Sequence, residues 1–295
     1  MNGTVRNILY SPLWLFLHGA AFLPLPVLYV ISDVLAFLTY HVVRYRRELV
    51  KKNIYASFPE KSGEEKNRII RRFYRNFTDI FVETVKLLHV SDKEMRRRIV
   101  FEGCEQVDAY TREGKSVALY AAHFCNWEWL SAITMWVDND EKIHYSQVYR
   151  PLRNQWFDRF YFELRKRFNS ESIPKNGVLR QLLQYRRDGG RFVTGFISDQ
   201  KPSHNDGLHH IRFLNQDTPF ISGTELLVKK MKAAVMYFDI HRVSRGYYKV
   251  TMRKIADDAS QCGEFELTDR FAQILEEAIR KEPDAWLWSH NRWRR

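Results

Sequence analysis

Helical and strand patterns alternate over the second two thirds of the chain, and this feature restricts the fold most. Short apolar runs typical of buried strands occupy residues 117–122, 192–197 and 234–243, and each follows a segment of helical character. A turn at residues 244–246 then leads into an alternating strand at 247–255. Strands that alternate with helices predict an α/β fold, with a mixed, largely parallel sheet flanked by helices and an antiparallel edge.

The N-terminal residues are apolar enough to enter a membrane. Residues 8–43 are overwhelmingly apolar, and about 20 such residues suffice for one crossing. A secretory signal would have a shorter apolar core and a cleavage site of small residues, so we expect the segment to be retained. Asp33, Pro24 and Pro26 fit a clean span poorly, and a helical hairpin lying in the interface is the alternative. We therefore expect a membrane anchor at residues 1–47 and one globular domain at 48–295.

Basic residues at the end of the apolar stretch predict its orientation. Only Arg6 precedes the stretch, whereas five basic side chains follow it: Arg44, Arg46, Arg47, Lys51 and Lys52. The positive-inside rule then puts the globular domain on the cytoplasmic side of the inner membrane. Cys104, Cys125 and Cys262 have no regular spacing, which argues against a disulfide framework or a zinc site and favours a reducing compartment.

The strongly basic balance predicts an acidic partner. The net charge is +12 and the sequence pI is about 9.6. Phospholipid headgroups, a phosphorylated glycolipid, an acidic carrier protein and nucleic acid would all be attracted to such a surface. Because the chain has no recognisable nucleic-acid motif, we expect no nucleic acid among its partners.

Two capping boxes predict helix starts. Ser62 with Glu65 opens a long amphipathic helix after a short connection at residues 53–59, and Ser91 with Glu94 opens a shorter one. A final helix is predicted to begin at Thr268 and to end before Pro283.

The candidate site follows the first buried strand of the alternating region. His123 lies just beyond that strand, where open α/β sheets form their ligand crevices. Asp199 follows the strand that ends at Ile197 and is therefore expected at the same edge of the sheet. Asn126 is a plausible helix cap, which would put Glu128 in the first helical turn, within reach of the histidine. A carboxylate on one ring nitrogen would leave the other free to accept a proton from a hydroxyl. The spacing alone also fits a histidine that is merely satisfied at the end of a strand.

Ordered motifs extend the local string His123-Phe-Cys-Asn-Trp-Glu128. They are Ser57-Phe58-Pro59, Tyr149-Arg150-Pro151 with Asn154, Asp199-Gln200, and the C-terminal run from Trp286 to Trp293. Together they resemble the lipid A biosynthesis late acyltransferases, relatives of the glycerol-3-phosphate acyltransferases, whose signature is a histidine, four residues, then Asp or Glu. The resemblance covers nearly the whole chain, including the apolar anchor.

The resemblance implies roles for individual residues and partners. It makes His123 the general base, Glu128 its orienting carboxylate, and Arg150, Arg165, Asp199, Asn154 and Gln200 members of the substrate and oxyanion site. It implies acyl carrier protein as the acyl donor, a lipid A precursor acylated on the hydroxyl of a 3-hydroxyacyl chain as the acceptor, and membrane lipids as partners. No metal or other cofactor is required, since the acyl thioester is a co-substrate.

Alternatives remain open beside this interpretation. Acylation of another lysophospholipid or glycolipid, from carrier protein or acyl-CoA, and a non-catalytic membrane scaffold are both compatible with the sequence. A metal site could use His204, His209, His210, Asp199 and Asp206, although these have no regular ligand spacing. Cys125 could be a thioester-forming nucleophile or a small buried side chain.

Aromatic and basic residues are interleaved at the C-terminus. They are Trp286, Trp288 and Trp293 with Arg292, Arg294 and Arg295. This pattern predicts a patch at the membrane interface, with ordinary packing of a terminal segment as the alternative.

Overall fold

A seven-stranded sheet forms the centre of the part of the chain that the computed structural model describes, residues 3–203 and 208–293. Its strands are β1 (Ile99–Glu102), β2 (Val117–Ala121), β3 (Ile143–Tyr149), β4 (Glu171–Pro174), β5 (Arg191–Ile197), β8 (Ala234–Ser244) and β9 (Tyr247–Ala256), and a separate hairpin consists of β6 (Leu208–Phe213) and β7 (Gln216–Ile221). The strand order is β1-β9-β8-β2-β5-β3-β4.

All neighbouring strands of this sheet are parallel except β8 and β9, which pair antiparallel across the turn at residues 244–246. The predicted mixed, largely parallel α/β sheet is therefore confirmed. β2 lies between β5 and β8 and is buried along its whole length, which is why its sequence is continuously apolar.

Ten α-helices in the described part of the chain precede the sheet, connect its strands or follow them. They are α1 (Gly3–Phe22), α2 (Leu25–Phe37), α3 (Arg47–Ser57), α4 (Gly63–Lys86), α5 (Asp92–Arg98), α6 (Cys104–Arg112), α7 (Gln155–Lys166), α8 (Val178–Arg187), α9 (Gly223–Lys230) and α10 (Glu266–Lys281), with a π-helical turn at Leu38–Val42 and 3₁₀ segments at Trp127–Met135, Lys175–Gly177 and Ala259–Gln261.

The capping signals in the sequence are found where they were predicted. Ser62 and Glu65 form both hydrogen bonds of a capping box at the start of α4, and Ser91 accepts from the Glu94 amide at the start of α5. The predicted connection at residues 53–59 is wrong for its first part, because α3 continues to Ser57. The last helix begins two residues before Thr268 and, as predicted, ends before Pro283.

α1 and α2, which we call the N-terminal helices, both contact α4, and α2 packs antiparallel on it through polar side chains. Tyr29 donates to Glu83 over 2.8 Å, and Ser32 donates to Asp79 over 2.7 Å. Asp33 forms an ion pair of 3.0 Å with Arg75. We call this row of contacts the α2–α4 seam. Within the described residues α1 and α2 do not pack along each other, so they do not form the hairpin that the sequence left open. α2 is held against the globular part of the chain by specific hydrogen bonds.

The outer surface of the N-terminal helices is apolar and exposed. The exposed side chains here and in the adjoining residues are Trp14, Leu15, Phe16, Phe22, Leu23, Val27, Val30, Ile31, Val34, Phe37 and Leu38. Among the described residues, Leu25–Val42 is the segment long and apolar enough, by length and composition, to cross a membrane. α2 therefore has polar contacts towards α4 and an exposed apolar face on its other side.

Candidate active site

Two neighbouring parallel strands bring His123 and Asp199 together. In the register of β2 and β5, Ala121 lies opposite Ile197. His123 and Asp199 each follow their strand end by two residues, so both side chains lie at the same carboxyl edge of the sheet. The sequence predicted this edge for both residues, and the prediction is confirmed.

Asp199 holds the histidine ring from behind. It is 2% exposed and accepts hydrogen bonds from His123 Nδ1 (2.7 Å), the His123 backbone amide (3.1 Å) and the Trp286 indole (2.8 Å). Burial opposes ionisation of Asp199, but the charge of His123 and these hydrogen bonds outweigh burial, so the pKa of Asp199 lies below its ordinary value. An ionised Asp199 fixes the tautomer of His123 with its proton on Nδ1.

The second ring nitrogen of His123 is on the cleft side. Gln200 Nε2 lies 3.1 Å from His123 Nε2, and the Trp127 ring contacts the imidazole edge to face, with 5.1 Å between ring centroids. His123, Trp127 and Gln200 all line the cleft described below. Because Nδ1 carries the proton, Nε2 has the lone pair. In this structure the lone pair accepts from the Gln200 amide, and it can accept a proton from a bound hydroxyl that takes the place of that amide.

The C-terminal segment fixes the backbone of the loop after β2. Cys125 has a left-handed conformation, with φ of 48°. Its amide donates to Ala285 over 2.9 Å, and the Leu287 amide donates to the His123 carbonyl over 3.1 Å. These two bonds hold a loop conformation that a non-glycine residue adopts only at a cost.

Glu128 does not contact His123 in this structure. Asn126 caps the next segment, as predicted, by accepting from the Trp129 amide (3.3 Å), but that segment is a 3₁₀ helix. Its tighter winding directs Glu128 to α7, where both carboxylate oxygens bind the Arg165 guanidinium at 3.0 and 3.2 Å. The predicted His123–Glu128 hydrogen bond is therefore wrong within the described residues, and Asp199 occupies that position. The catalytic roles of His123 and Glu128 stay predictions.

A large cleft opens beside His123. Its volume is about 850 Å³, in the range of small-molecule sites. One wall is formed by the sheet, through alternate residues of β2 and β5 and through residues 145–149 of β3, and another is the 3₁₀ segment Trp127–Met135. Apolar side chains from these walls include Leu119, Val193, Ile197, Leu130 and Ile133. A long apolar chain could lie along the sheet with its end group at His123.

Polar side chains are placed at different depths of this cleft. Arg165 and Glu128 line it as an ion pair, with only 20% and 12% of their side chains exposed. Arg150 follows β3 directly and is an exposed lining residue. Asn154 caps α7, accepting from the Trp156 amide over 3.0 Å, and is not among the lining residues. Its predicted contact with substrate stays a prediction.

The predicted interfacial patch at the C-terminus is wrong for Trp286, Trp288 and Arg292, which are 3%, 0% and 1% exposed. The indoles of Trp286 and Trp288 donate inward, to Asp199 and to the Pro283 carbonyl. Trp293 is partly exposed, and its indole donates to Thr218 over 2.7 Å. Arg294 and Arg295 lie outside the described residues. The motif therefore reflects packing of the C-terminal segment against the site. A buried indole N–H needs a hydrogen-bond acceptor, and the tryptophans of the motif were the sequence signal for such packing.

The structure also bears on the two other chemistries that the sequence left open. His209 and His210 bind separate carboxylates, Asp269 and Asp217, and His204 and Asp206 lie outside the described residues. In the part of the chain that is described, no group of three or more metal-binding side chains comes together. Cys125 is buried, and burial raises the pKa of its thiol well above the ordinary value, whereas a nucleophilic cysteine needs a lowered one.

The fold and the site define an α/β protein with a histidine–carboxylate pair beside a large cleft that is partly lined by apolar side chains. Comparison with known sequences places it more closely: residues 5–295 match the family model described as bacterial lipid A biosynthesis acyltransferase, and the chain belongs to this acyltransferase family.

Distant relatives carry consistent names. The chain is 23% identical to the lipid A biosynthesis palmitoleoyltransferase of Escherichia coli (strain K12), over 98% of this chain and 94% of that protein. It is 21% identical to the lipid A biosynthesis lauroyltransferase of the same strain, over 96% and 89% of the two chains. A lipid A biosynthesis acyltransferase of Haemophilus influenzae is 22% identical, over 95% and 90%.

Proposed function

We propose that this chain transfers a fatty acyl group from the thioester of acyl carrier protein to a hydroxyl of a lipid A precursor. The observation that carries the proposal is His123, held by a buried carboxylate with its Nε2 towards an acyl-sized cleft. Family membership supports the class of reaction and of acceptor. The basic chain supports an acidic carrier protein as donor and a phosphorylated lipid as acceptor.

In the proposed mechanism, His123 Nε2 takes the proton of the acceptor hydroxyl while the hydroxyl oxygen attacks the thioester carbon. The new C–O bond gives a tetrahedral oxyanion, which collapses as the C–S bond breaks. The departing thiolate takes the proton back from the imidazolium. Asp199 stabilises the imidazolium between these two steps, the part that the sequence assigned to Glu128.

The other polar groups of the cleft are proposed to bind the oxyanion and the charged parts of the substrates. Gln200, next to His123 Nε2, is placed to donate to the oxyanion, and one such donor contributes about 3–4 kcal/mol. Glu128 holds the Arg165 guanidinium inside the cleft, and Arg165 adds positive charge near the reacting carbonyl. Arg150, exposed at the mouth, is suited to a phosphate of the glycolipid or of the carrier protein's prosthetic group.

We further propose that the N-terminal helices, in the segment 1–47, anchor the protein on the cytoplasmic face of the inner membrane. Their exposed apolar face would enter the lipid, and the basic residues after them would meet the headgroups. Because α2 packs along α4 through the α2–α4 seam, a fully spanning α2 would draw α4 into the hydrocarbon too. The N-terminal helices are therefore proposed to lie in the interface.

The test compares two carboxylate variants in one transfer assay, with mass spectrometry of the acylated lipid. Asp199→Asn should lower kcat by about 10³- to 10⁴-fold, because it favours the wrong tautomer of His123. Glu128→Gln keeps its shape and weakens only the hold on Arg165, so about a 10-fold loss of kcat/KM is expected.

The reverse ranking of these two variants would restore the sequence interpretation of Glu128 as the orienting carboxylate. Full activity of His123→Ala would remove the proposed base. Donor and acceptor are decided by offering acyl carrier protein thioester or acyl-CoA against a lipid A precursor or a lysophospholipid. Activity with lysophospholipid alone would contradict the proposed acceptor.

A further inference from the structure

Asn126 has a buried partner outside the site. This residue lies between His123 and Glu128 and is 0% exposed. Its side-chain oxygen caps the 3₁₀ segment, while its side-chain amide donates to Glu83 Oε2 on α4 over 2.6 Å. The start of the segment that carries Trp127 and Glu128 is therefore fixed by one carboxylate on another helix.

Glu83 collects donors from three different elements. It is 0% exposed and accepts from Asn126, from Tyr29 of α2 (2.8 Å) and from Tyr248 of β9 (2.8 Å). Its own backbone carbonyl accepts from the Trp129 indole over 3.2 Å. Burial raises the pKa of Glu83, and nearby Arg242 opposes that shift. A buried carboxylate of this kind holds its position only while its hydrogen-bond donors stay in place, because a buried polar group without a partner is costly.

Tyr29 of α2 also has close contacts with the β8–β9 turn. The Arg245 guanidinium lies over the Tyr29 ring, 4.5 Å from the ring centroid, and pairs with Asp33 over 2.8 Å. Gly246 has a φ of +76°, and a Cβ there would lie 2.0 Å from the Tyr29 hydroxyl. The glycine of the β8–β9 turn thus allows close packing against the Tyr29 hydroxyl, which donates to Glu83.

We propose that Tyr29, Glu83 and Asn126 are positioning residues that couple the packing of α2 on α4 to the geometry of the His123 loop, and so to the rate of transfer. The path is continuous: α2 holds Tyr29, Tyr29 orients Glu83, and Glu83 orients Asn126. Asn126 is three residues from His123 and begins the wall of the cleft that carries Glu128. The inference rests on the proposed acyl transfer and gives α2 a part in it beyond anchoring.

The test is Tyr29→Phe, which deletes one hydroxyl and keeps the ring. Loss of the bond lets Glu83 and Asn126 relax, and a small displacement of a catalytic group is costly. We expect kcat to fall about 10-fold with KM for the acyl thioester unchanged. Glu83→Gln, which keeps the shape of the side chain, should act in the same direction and serves as the second variant.

Tyr74→Phe is the matched control. Tyr74 also lies on α4 and is 1% exposed. Its hydroxyl donates to the Tyr45 carbonyl over 2.6 Å, which joins the chain after the N-terminal helices to the same helix. Its loss should lower the melting temperature by an amount similar to that of Tyr29→Phe, while kcat stays at the wild-type value. Equal kcat for all three proteins, or equal losses in both variants, would overturn the proposal.

Amide hydrogen exchange separates this inference from the proposed function. Exchange at residues 122–130 should be faster in Tyr29→Phe than in Tyr74→Phe, in folded protein and without any substrate. If the wild type transferred no acyl group, the proposed function would fail, and this exchange difference would still decide the coupling. Identical exchange in both variants would contradict it.

Discussion

At the scale of single residues, Asp199 depends on a donor from the far end of the chain. The Trp286 indole occupies the same oxygen, Oδ2, that receives the His123 backbone amide, which leaves Oδ1 for the imidazole. The tail therefore sets the direction in which Asp199 presents its charge. A change at Trp286 should be felt in the chemistry as well as in stability.

We predict that Trp286→Phe lowers kcat about fivefold, because one hydrogen bond to Asp199 is lost, at about 1 kcal/mol. Trp288→Phe is the control, since Trp288 is equally buried and its indole donates to the Pro283 carbonyl instead. Both variants should lower the melting temperature. Steady-state kinetics on both proteins checks the prediction, and similar kcat losses in the two would refute a specific effect through Asp199.

The sequence allowed part of this residue geometry to be predicted. His123 and Asp199 each stand two positions beyond an apolar strand, so their shared edge followed from the strand pattern. Their direct pairing did not, because it needs β2 and β5 to be neighbours with Ala121 opposite Ile197, and strand order is set by tertiary packing. Glu128 was misplaced because a cap residue does not distinguish a 3₁₀ turn from an α-helical one.

At the scale of elements, His241 joins β8 to the end of α10. Its Nε2 lies 3.1 Å from Asp239 on its own strand, and its Nδ1 lies 2.8 Å from Glu282, which follows α10. The hydrogen bonds to Asp239 and Glu282 outweigh burial and raise the pKa of His241 to about 9. The imidazolium form, with both N–H groups donating, is the one that holds the two elements together.

This pairing predicts a pH-dependent contribution to folding stability. Because the folded pKa lies above the unfolded value of 6.5, the contribution is full below that pH and is lost as the pH rises towards about 9. His241→Gln should cost about 2 kcal/mol at about pH 6, a figure that allows for partial solvent screening. The difference from wild type should nearly vanish above about pH 9.

Denaturant unfolding at several pH values measures this contribution. His210→Gln is the control, because the His210–Asp217 pair is exposed, with 54% of the His210 side chain accessible. That variant should show no comparable pH-dependent difference. A cost for His241→Gln that stays constant from about pH 6 to pH 10 would mean that packing, not charge, accounts for it.

Element boundaries were predictable where local chemistry decides them. The Ser62–Glu65 box and the Pro283 stop are local signals, and both held. The short edge strands β1 and β4 were not predicted, since four residues carry little periodicity. Their strand conformation depends on pairing with β9 and β3.

At the scale of the whole molecule, α2 and the sheet share one hydrophobic core. The α2–α4 seam buries Ser32 and Asp79 completely, at 0% exposed each, while the opposite face of α2 is open. The apolar stretch was evident in the sequence. Its polar inner face could not be assigned, because Ser32 and Asp33 only acquire partners when α4 packs beside them.

The interfacial placement predicts a shallow and uniform depth along the outer face. Fluorescent labels on cysteines introduced at Phe16 and Val34, 68% and 55% exposed, should be quenched best by lipids brominated near the headgroup. A label at Leu226, which is 64% exposed on α9, should not be quenched. Strongest quenching by bromine at the chain ends would show that the helix spans the bilayer.

The α2–α4 seam has a practical consequence for making this protein in water. Deleting the N-terminal helices would remove the hydroxyl groups that donate to Glu83 and Asp79 and would expose the interior beneath them. Such a truncation is expected to aggregate. A soluble form is better sought by keeping both helices and exchanging only outward residues such as Val30, Val34 and Phe37 for polar ones.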